Sequence, residues 1–575
     1  MNDRVAGQSQ RKPAQVPVLV IGGGPVGLTL AMDLASRGVE TLLVEQRAAS
    51  EPPDARCNHV AARSMEVFRR LGVAGKVRDA GLPADYPHDV VYTTSLFGYE
   101  LGRVRIPSRA NRFNDEGYAD GGWPTPEPPH RVNQVYLEPV LFQHATTFDK
   151  LTIISNFRVD GITHLDGATR VGGTDLTTGN TLAFDAQFVA GCDGARSMVR
   201  QTLGIKLQGD DNLMHAMMAT ITAPDLLKKA GCSPAWMYWI INPRQTGAIV
   251  ALNGKDEWVV NTFFSEKPDE ESFDWDSAVR ACIGDDIDFT IHSKKPWAGR
   301  RLLAEKFSSG NIFVLGDAAH NWLPMAGYGM NAGIADAANL AWKLAAVING
   351  WADESLLRTY ELERRPILDQ VSAIAMQIRK RNNVTVPPKI EEASEEGRAV
   401  REEIGRYMVE TDGPQFACMG LNFGYFYEDS PIIVYDSGKP PTYTLGTYTP
   451  STCPGCRTPH IWLDDGVSLY DRLGQGYSLL RCDRSIDVGA LERAARAANL
   501  PLKIIDLEEE KAAASVYDVP LVLVRPDQHI AWRGTGLPSD LGRLIDHVLG
   551  GESAMPVVVT SSVKLRKAGD SHCVS

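Results

Sequence analysis

Apolar positions along the chain change period several times, and each change marks an element. The run "VPVLVI" predicts a buried strand, "GGGPVG" a tight turn, "LTLAMDLASRG" a helix and "VETLLVE" a second strand, which together open a doubly wound sheet. Residues 55–71 end in a helical pattern that puts Met65, Phe68 and Leu71 on one face. Residues 83–129 are rich in Gly, Pro and aromatics, as an excursion over a surface or around a pocket would be. From 215 to 264 the pattern changes to short β-rich runs, "AMMATITA", "WMYWII", "GAIVALN" and "EWVVNTFF", which predict an antiparallel sheet inserted into the α/β unit. The strand "NIFVLG" and a long helix over 332–349 restore the α/β pattern. A charged helical region follows to about residue 408, and the remainder reads as another α/β unit. There is no internal repeat and no low-complexity segment.

With 575 residues, 43% of them apolar, the chain can bury several cores, and a prior of about 150 residues per domain suggests three or four units. A net charge of -12 argues against a nucleic-acid or anionic-membrane surface, which needs a dense Lys/Arg footprint. No run of about 20 uninterrupted apolar residues is present and the first fifteen residues are polar, so the expected location is the cytoplasm, with no membrane partner. Nine scattered cysteines fit a reducing compartment better than a disulfide framework.

Gly22, Gly24 and Gly27 satisfy G-x-G-x-x-G between a strand and a helix. The first glycine allows the turn, the second lets a pyrophosphate approach the backbone, and the third lets helix and strand pack. Glu45 ends the next strand, where an acid accepts hydrogen bonds from a ribose diol. This fingerprint does not distinguish NAD from FAD. Two later stretches do: "VAGCDGARSMVR", with Asp193 and Gly194 after an apolar strand, and "VLGDAAHNWLPMAGYGMNAGIADAANLAWKL", with Asp317 at a strand end followed by Pro324, Gly327, Gly329, Met330 and Asn331.

In these motifs, in this order, the sequence resembles the class A FAD-dependent aromatic hydroxylases, the para-hydroxybenzoate and phenol hydroxylase family, over nearly its whole length. The resemblance implies an α/β chain, α+β overall: a Rossmann-like FAD-binding domain (1–90, 125–205 and 297–400), an inserted antiparallel substrate-binding sheet (91–124 and 206–296) and a C-terminal thioredoxin-like domain (415–565). It implies that Glu45 holds the adenosine ribose, with Gln46 and Arg47 beside it, that Asp317 binds the ribityl chain, and that Asp193 and Gly194 serve FAD and NAD(P)H. It further implies that Arg56 and Gln134 contact the flavin side of the cofactor. A helix starting near Asn331 would turn its N-terminal amides toward the flavin pyrimidine ring.

The implied reaction takes a hydride from NAD(P)H, adds O2 to the reduced FAD as a C4a-hydroperoxide and delivers the distal hydroxyl to a phenolic ring. The family further implies a homodimer. Asn58 stands where phenol hydroxylases carry a polar side chain that helps activate the substrate hydroxyl. Because asparagine is no base, His59 becomes the candidate for proton handling, or else a merely packed histidine. Tyr238, sharing a strand face with Trp236, is a candidate for a phenolate contact or for core; Arg244 is a candidate for an anionic substrate or nicotinamide phosphate, or a solvated turn residue. A tailoring oxygenase for polycyclic polyketides within the family and a noncatalytic FAD-binding protein are the rival readings.

Cys453 and Cys456 form the only Cys-x-x-Cys. The turn-like residues before them and Pro459 after them do not match a dithiol that opens a helix. The β-α-β pattern begins later, at residue 477, and Val519-Pro520 sits where the thioredoxin fold commonly has a cis-proline. With His460 the two thiols supply three ligands, one short of a closed zinc site, so no metal is expected and the pair reads as a surface coincidence.

Overall fold

A computed structural model describes residues 14–49, 51–323, 325–381 and 385–551; Pro324 lies outside them. The first sheet is built around β1 (Ala14–Ile21), which pairs in parallel with β2 (Thr41–Val44) on one side and β8 (Thr181–Gly191) on the other. Beyond β2 lies β5 (Leu151–Ile154). Beyond β8 lies β15 (Ile312–Val314), to which the short β14 (Ser308–Ser309) pairs. β6 (Phe157–Leu165) and β7 (Ala168–Asp175) extend β8 as an antiparallel meander. Val18, Leu19 and Val20 are fully buried, as expected of a strand covered on both faces, which is why this segment reads as an unbroken apolar run. Helix α1 (Pro25–Ser36) packs directly on α4 (Tyr328–Ile348), while α2 (Ala62–Arg70) contacts α4 and α3 (Gln134–Ala145) contacts α1.

The second sheet runs β16 (His320–Trp322), β13 (Thr290–Ala304), β9 (Leu207–Thr222), β12 (Glu257–Phe264), β11 (Thr246–Ala251), β10 (Met237–Ile241), β3 (Val90–Thr93), β4 (Glu100–Val104). It is antiparallel except where β10 runs parallel to β3, Met237 opposite Val90. β13 ties the two units together, because its last residues pair with β16, six residues beyond β15. Residues opposite each other across a pair point to one face. One face therefore carries the row Lys295, Met218, Asn261, Ala248, Trp239, Tyr92 and, beside it, the row Trp297, Ala216, Phe263. The other carries Ala219, Val260, Ile249 and Tyr238, all buried.

At the C-terminus, β17 (Tyr477–Arg481), helix α7 (Gly489–Ala497) and β18 (Leu502–Asp506) make a parallel unit. β19 (Leu521–Val524) then pairs antiparallel to β17, followed by β20 (Ile530–Gly534) and helix α8 (Leu541–Val548). No peptide bond among the described residues is cis, so Val519–Pro520 is trans. Between these blocks run α5 (Thr359–Arg381) and α6 (Glu395–Thr411).

The C-terminal unit is held by buried charge. Arg525 donates to both oxygens of Glu363 on α5 (2.5 and 2.8 Å) and to Asp527 (2.7 Å), and Lys343 on α4 donates to Glu363 (2.7 Å). Arg457 pairs with Glu66 on α2 and lies 4.0 Å over the Phe423 ring.

The thiol pair belongs to this docking segment and is buried, not on the surface as the sequence reading had it. Gly455 donates to the Ile530 carbonyl (2.8 Å), and Ile530 donates to that of Cys456 (3.0 Å), so "CPGC" continues the β20 edge. Both thiols are free, and burial pushes that of Cys456 up to about 12. No group of three or more His, Cys, Asp or Glu arranged to hold a metal occurs among the described residues. The native protein is expected to leave both thiols unlabelled by a thiol reagent at pH 8, and, in the hydroxylase that the resemblance implies, Cys453→Ser/Cys456→Ser should keep parental turnover per bound FAD. Labelling of the folded protein, or a large loss of turnover with FAD bound, would return the pair to the chemistry.

Candidate active site

The carboxyl ends of β1, β8 and β15 lie side by side, and the chain reverses direction through the sheet between β1 and β8, so a crevice opens there. Gly22 has φ of +107°, and a Cβ on it would strike the Cys192 carbonyl; one on Gly27 would strike Gly22. Gly24 faces open space, with nothing within 4 Å of where a Cβ would stand, which is the approach a pyrophosphate needs. Glu45 folds over this turn: Oε2 accepts from Gly23 N (2.5 Å) and Oε1 from Arg47 N (2.8 Å). Arg47 spans Glu45 (3.1 Å) and Glu138 (2.5 Å), and Gln134 donates to Glu138 (3.0 Å). Glu138 was missed in the sequence, although it stands one helical turn after Gln134 on α3. Gln46 is exposed; Arg56 is exposed and pairs with Asp54 (3.0 Å).

Asp193 accepts from Val199 N through Oδ2 (3.0 Å), while its Oδ1 is buried without a partner; Gly194 takes φ of +78°. Asp317 follows β15 in a turn that the protein braces from behind. Asp336 on α4 accepts from Gly316 N (3.2 Å), His320 (2.7 Å) and Arg364 (2.8 Å), and Arg200 donates to the Ala318 carbonyl (2.9 Å). Asp336 was another omission, visible as a lone acid inside the apolar repeat of α4. The Asp317 carboxylate makes no hydrogen bond with the described residues, and burial raises its pKa against the weaker pull of His320 and Arg56. Beside it, Asn321 Oδ1 and Trp322 Nε1 are buried and unpartnered. A crevice with an open glycine turn at one end and unpaired carboxylate, amide and indole groups at the other fits a long polar cofactor.

Helix α4 begins at Tyr328, earlier than the expected start near Asn331, with Gly327 (φ +61°) as its cap. A Cβ on Gly327 would come to 3.0 Å from that of His59, and one on Gly329 to 3.4 Å from the Trp322 indole; Met330 is half-buried. Asn331 is no cofactor ligand by its side chain, whose groups are all taken. Oδ1 accepts from Ala61 N (2.8 Å) and Ser64 (2.7 Å), and Nδ2 donates to the carbonyls of His59 (3.0 Å) and Gly327 (2.7 Å). It staples the start of α2 to the start of α4.

Residues 15–375 match the family described as FAD binding domain, and residues 451–551 the family described as aromatic-ring hydroxylase, C-terminal. The chain belongs to the class A FAD-dependent aromatic hydroxylases. The FAD-dependent monooxygenase apdD of Emericella nidulans is 30% identical over 93% of this chain and 90% of its own. The 2,4-dichlorophenol 6-monooxygenase of Cupriavidus pinatubonensis is 30% identical over 92% and 94%. RebC, solved after soaking with chromopyrrolic acid and with 7-carboxy-K252c bound, superposes with a TM-score of 0.86 at 33% identity, covering 94% of this chain and 100% of that one.

On the substrate side of this hydroxylase the structure decides between the two readings left open for His59, Tyr238 and Arg244. His59 is buried and faces Arg131, whose guanidinium lies against Nδ1. Burial, and then Arg131, keep its pKa well below 6.5. A neutral imidazole that accepts at Nδ1 carries its proton on Nε2 and has no lone pair left, so His59 is not a base. The pH profile of turnover in His59→Gln is therefore expected to parallel the parental one between pH 6 and 8; loss of a break in that window would reinstate the base. Tyr238 points to the core face and donates to the Ser233 carbonyl (2.9 Å). Arg244 is exposed and spent on a bidentate pair with Glu391 (2.8 and 2.6 Å), so it does not reach the crevice. Asn58 accepts from Asn133, the cap of α3.

Proposed function

We propose that the protein hydroxylates a phenolic aromatic substrate with O2 at the expense of NAD(P)H. The observation that carries this reading is the half-exposed sheet face bearing Asn261, Trp239, Phe263 and Trp297, turned toward the crevice that fits FAD. Lys295, in the first row of that face, pairs with Asp54 beside Arg56, and a Cβ on Gly299, next in line after Trp297, would strike Leu323 in the Asp317 loop. FAD, when bound, supplies hydride acceptance and oxygen activation.

The chain's own residues would do the rest. Glu45 would hold the ribose and Asp317 the ribityl hydroxyls. The first-turn amides of α4 present a partial positive charge where negative charge grows on reduction. Asn58 would orient the substrate hydroxyl, and the sheet would exclude water from the reacting atoms. The β17–β20 unit has the strand order of a thioredoxin-like domain, β18-β17-β19-β20, with Cys482-Asp483-Arg484-Ser485 where a dithiol would sit; it serves docking and not redox chemistry. A cytoplasmic homodimer completes the reading.

Purified protein should be yellow, and a phenol should raise its NAD(P)H oxidation with a hydroxylated product formed in step. A colourless protein that no aromatic stimulates would overturn the proposal.

A further inference from the structure

We infer that Arg78, His88, Ser108, Arg109, Arg112 and His130 form a closed binding site for a halide ion, which braces the 83–131 excursion against the rest of the fold.

Buried polar side chains ordinarily find partners, and here a whole group of them finds none. Arg78 Nη1, Arg109 Nε, Arg112 Nε, Ser108 Oγ and both ring nitrogens of His88 and of His130 are buried without a hydrogen bond to the described residues. They come from separate stretches of chain. Arg78 lies on the helix Ala74–Asp79, His88 just before β3, Ser108 to Arg112 on the turn after β4, and His130 in a short antiparallel bridge with Val60. The His88 and His130 rings stand 5.8 Å apart, edge to face. Burial, and then the charges of Arg131, Arg112, Arg109 and Arg78, push the pKa of His88 down to about 3, so four guanidiniums surround that ring. Burial, His88 and the same arginines hold His130 well below 6.5. Both imidazoles are therefore neutral, and each offers one N–H.

The group is rich in donors and poor in acceptors. Guanidinium N–H groups, imidazole N–H groups and a hydroxyl face only the remaining imidazole lone pairs and the Ser108 oxygen. A water molecule would have to direct two hydrogens of its own among them, whereas an anion only accepts. The neighbouring carboxylates are already spent. Glu127 accepts from Arg78 (2.9 and 2.6 Å) and Arg69 (2.9 Å), and Asp120 from Arg112 (2.8 Å) and Trp123 (2.8 Å). Asp79 and Asp115 meet Arg109 and Arg112 from more exposed positions. Among the buried charges, Arg78, Arg112 and Arg131 exceed Glu127 and Asp120 by one, which a monovalent anion cancels. His88, His130, Arg112 and Ser108 are each at most 5% exposed, so the occupant must shed its hydration shell. That favours a small, singly charged halide over phosphate or sulfate, whose desolvation costs more.

The bound ion would tie the helix Ala74–Asp79 to the edge of the second sheet at β3. Through His130, whose backbone exchanges hydrogen bonds with Val60 (2.8 and 2.9 Å), it would also hold the loop that carries His59.

The test uses full-length, FAD-loaded protein dialysed into sodium gluconate and melted at fixed ionic strength while chloride or bromide replaces gluconate. The melting temperature should climb with the logarithm of halide concentration once the site is half filled. In His88→Phe and in the milder Ser108→Ala, the halide concentration that gives the same rise should increase about tenfold or more, the loss of one hydrogen bond to a charged group. Crystals of the parental protein grown in bromide should give an anomalous peak between His88 and Arg112. Equal melting in halide and gluconate, a halide response unchanged in both variants, or ordered water at this position with no bromide peak would each overturn the assignment.

Discussion

Asp317→Ala is expected to purify without colour. In the parent this carboxylate is half-buried and makes no hydrogen bond with the described residues, on a turn that Asp336, Arg364 and Arg200 hold rigid. Hydrogen bonds from ribityl hydroxyls to a charged acceptor contribute about 1.5–3 kcal/mol each, and losing them should weaken FAD by at least about 100-fold. The measurement is the ratio of flavin to protein absorbance, with titration of the apoprotein by FAD. Asp317→Asn should fall between. The same substitution removes a half-buried charge that makes no hydrogen bond with the described residues, so the apoprotein of Asp317→Ala is expected to melt no lower than the parental apoprotein. Full FAD content in Asp317→Ala would displace the cofactor from this turn.

Arg525→Met should be strongly destabilising at the C-terminal interface, at about 3–5 kcal/mol, because it takes the guanidinium from buried Asp527 and leaves Glu363 with Lys343 as its one cation. Burial alone would raise Glu363, and Arg525 with Lys343 overcomes it, holding the carboxyl well below 4.5; Asp527 is held below 3.8 against the same penalty. Both groups therefore contribute stability that is present in full above about pH 4.5 and is lost as pH falls through their depressed folded values. Thermal melts from pH 7 down to pH 3 should show the parental protein losing stability steeply below about pH 4.5. Arg525→Met should melt far lower at pH 7 and lose less on acidification. A parental melting temperature in Arg525→Met at pH 7 would mean that the cluster does not hold the unit.

The parts of the site that follow from backbone stereochemistry were readable in the sequence. Gly22, Gly24 and Gly27 sit where only glycine fits or where a ligand must approach, and Asp193 and Asp317 end strands whose apolar runs are plain. What was not readable depends on partners far away in the chain. Alternation splits β10 into two faces without saying which one meets the crevice; Trp236 and Tyr238 stood between substrate contact and core and are core, and the half-exposed side chain is Trp239. Arg244 looked free because Glu391 lies 147 residues on. His59 looked titratable until Arg131, 72 residues away, was brought against it. Cys453 and Cys456 looked superficial because the backbone of Lys439 and Ile530 that covers them is not local.

The interleaving of the two sheets also governs when the cofactor site can come into being. β1 pairs with β8, Val18 opposite Phe188, and β8 with β15, so the crevice gathers residues 22, 193 and 317 and cannot close until more than half of the chain has left the ribosome. Contacts of such long sequence separation form late and slowly. Until then the apolar β1 waits without its neighbour, an aggregation hazard during synthesis that cooler expression and abundant flavin should relieve by shortening the interval before the crevice is filled.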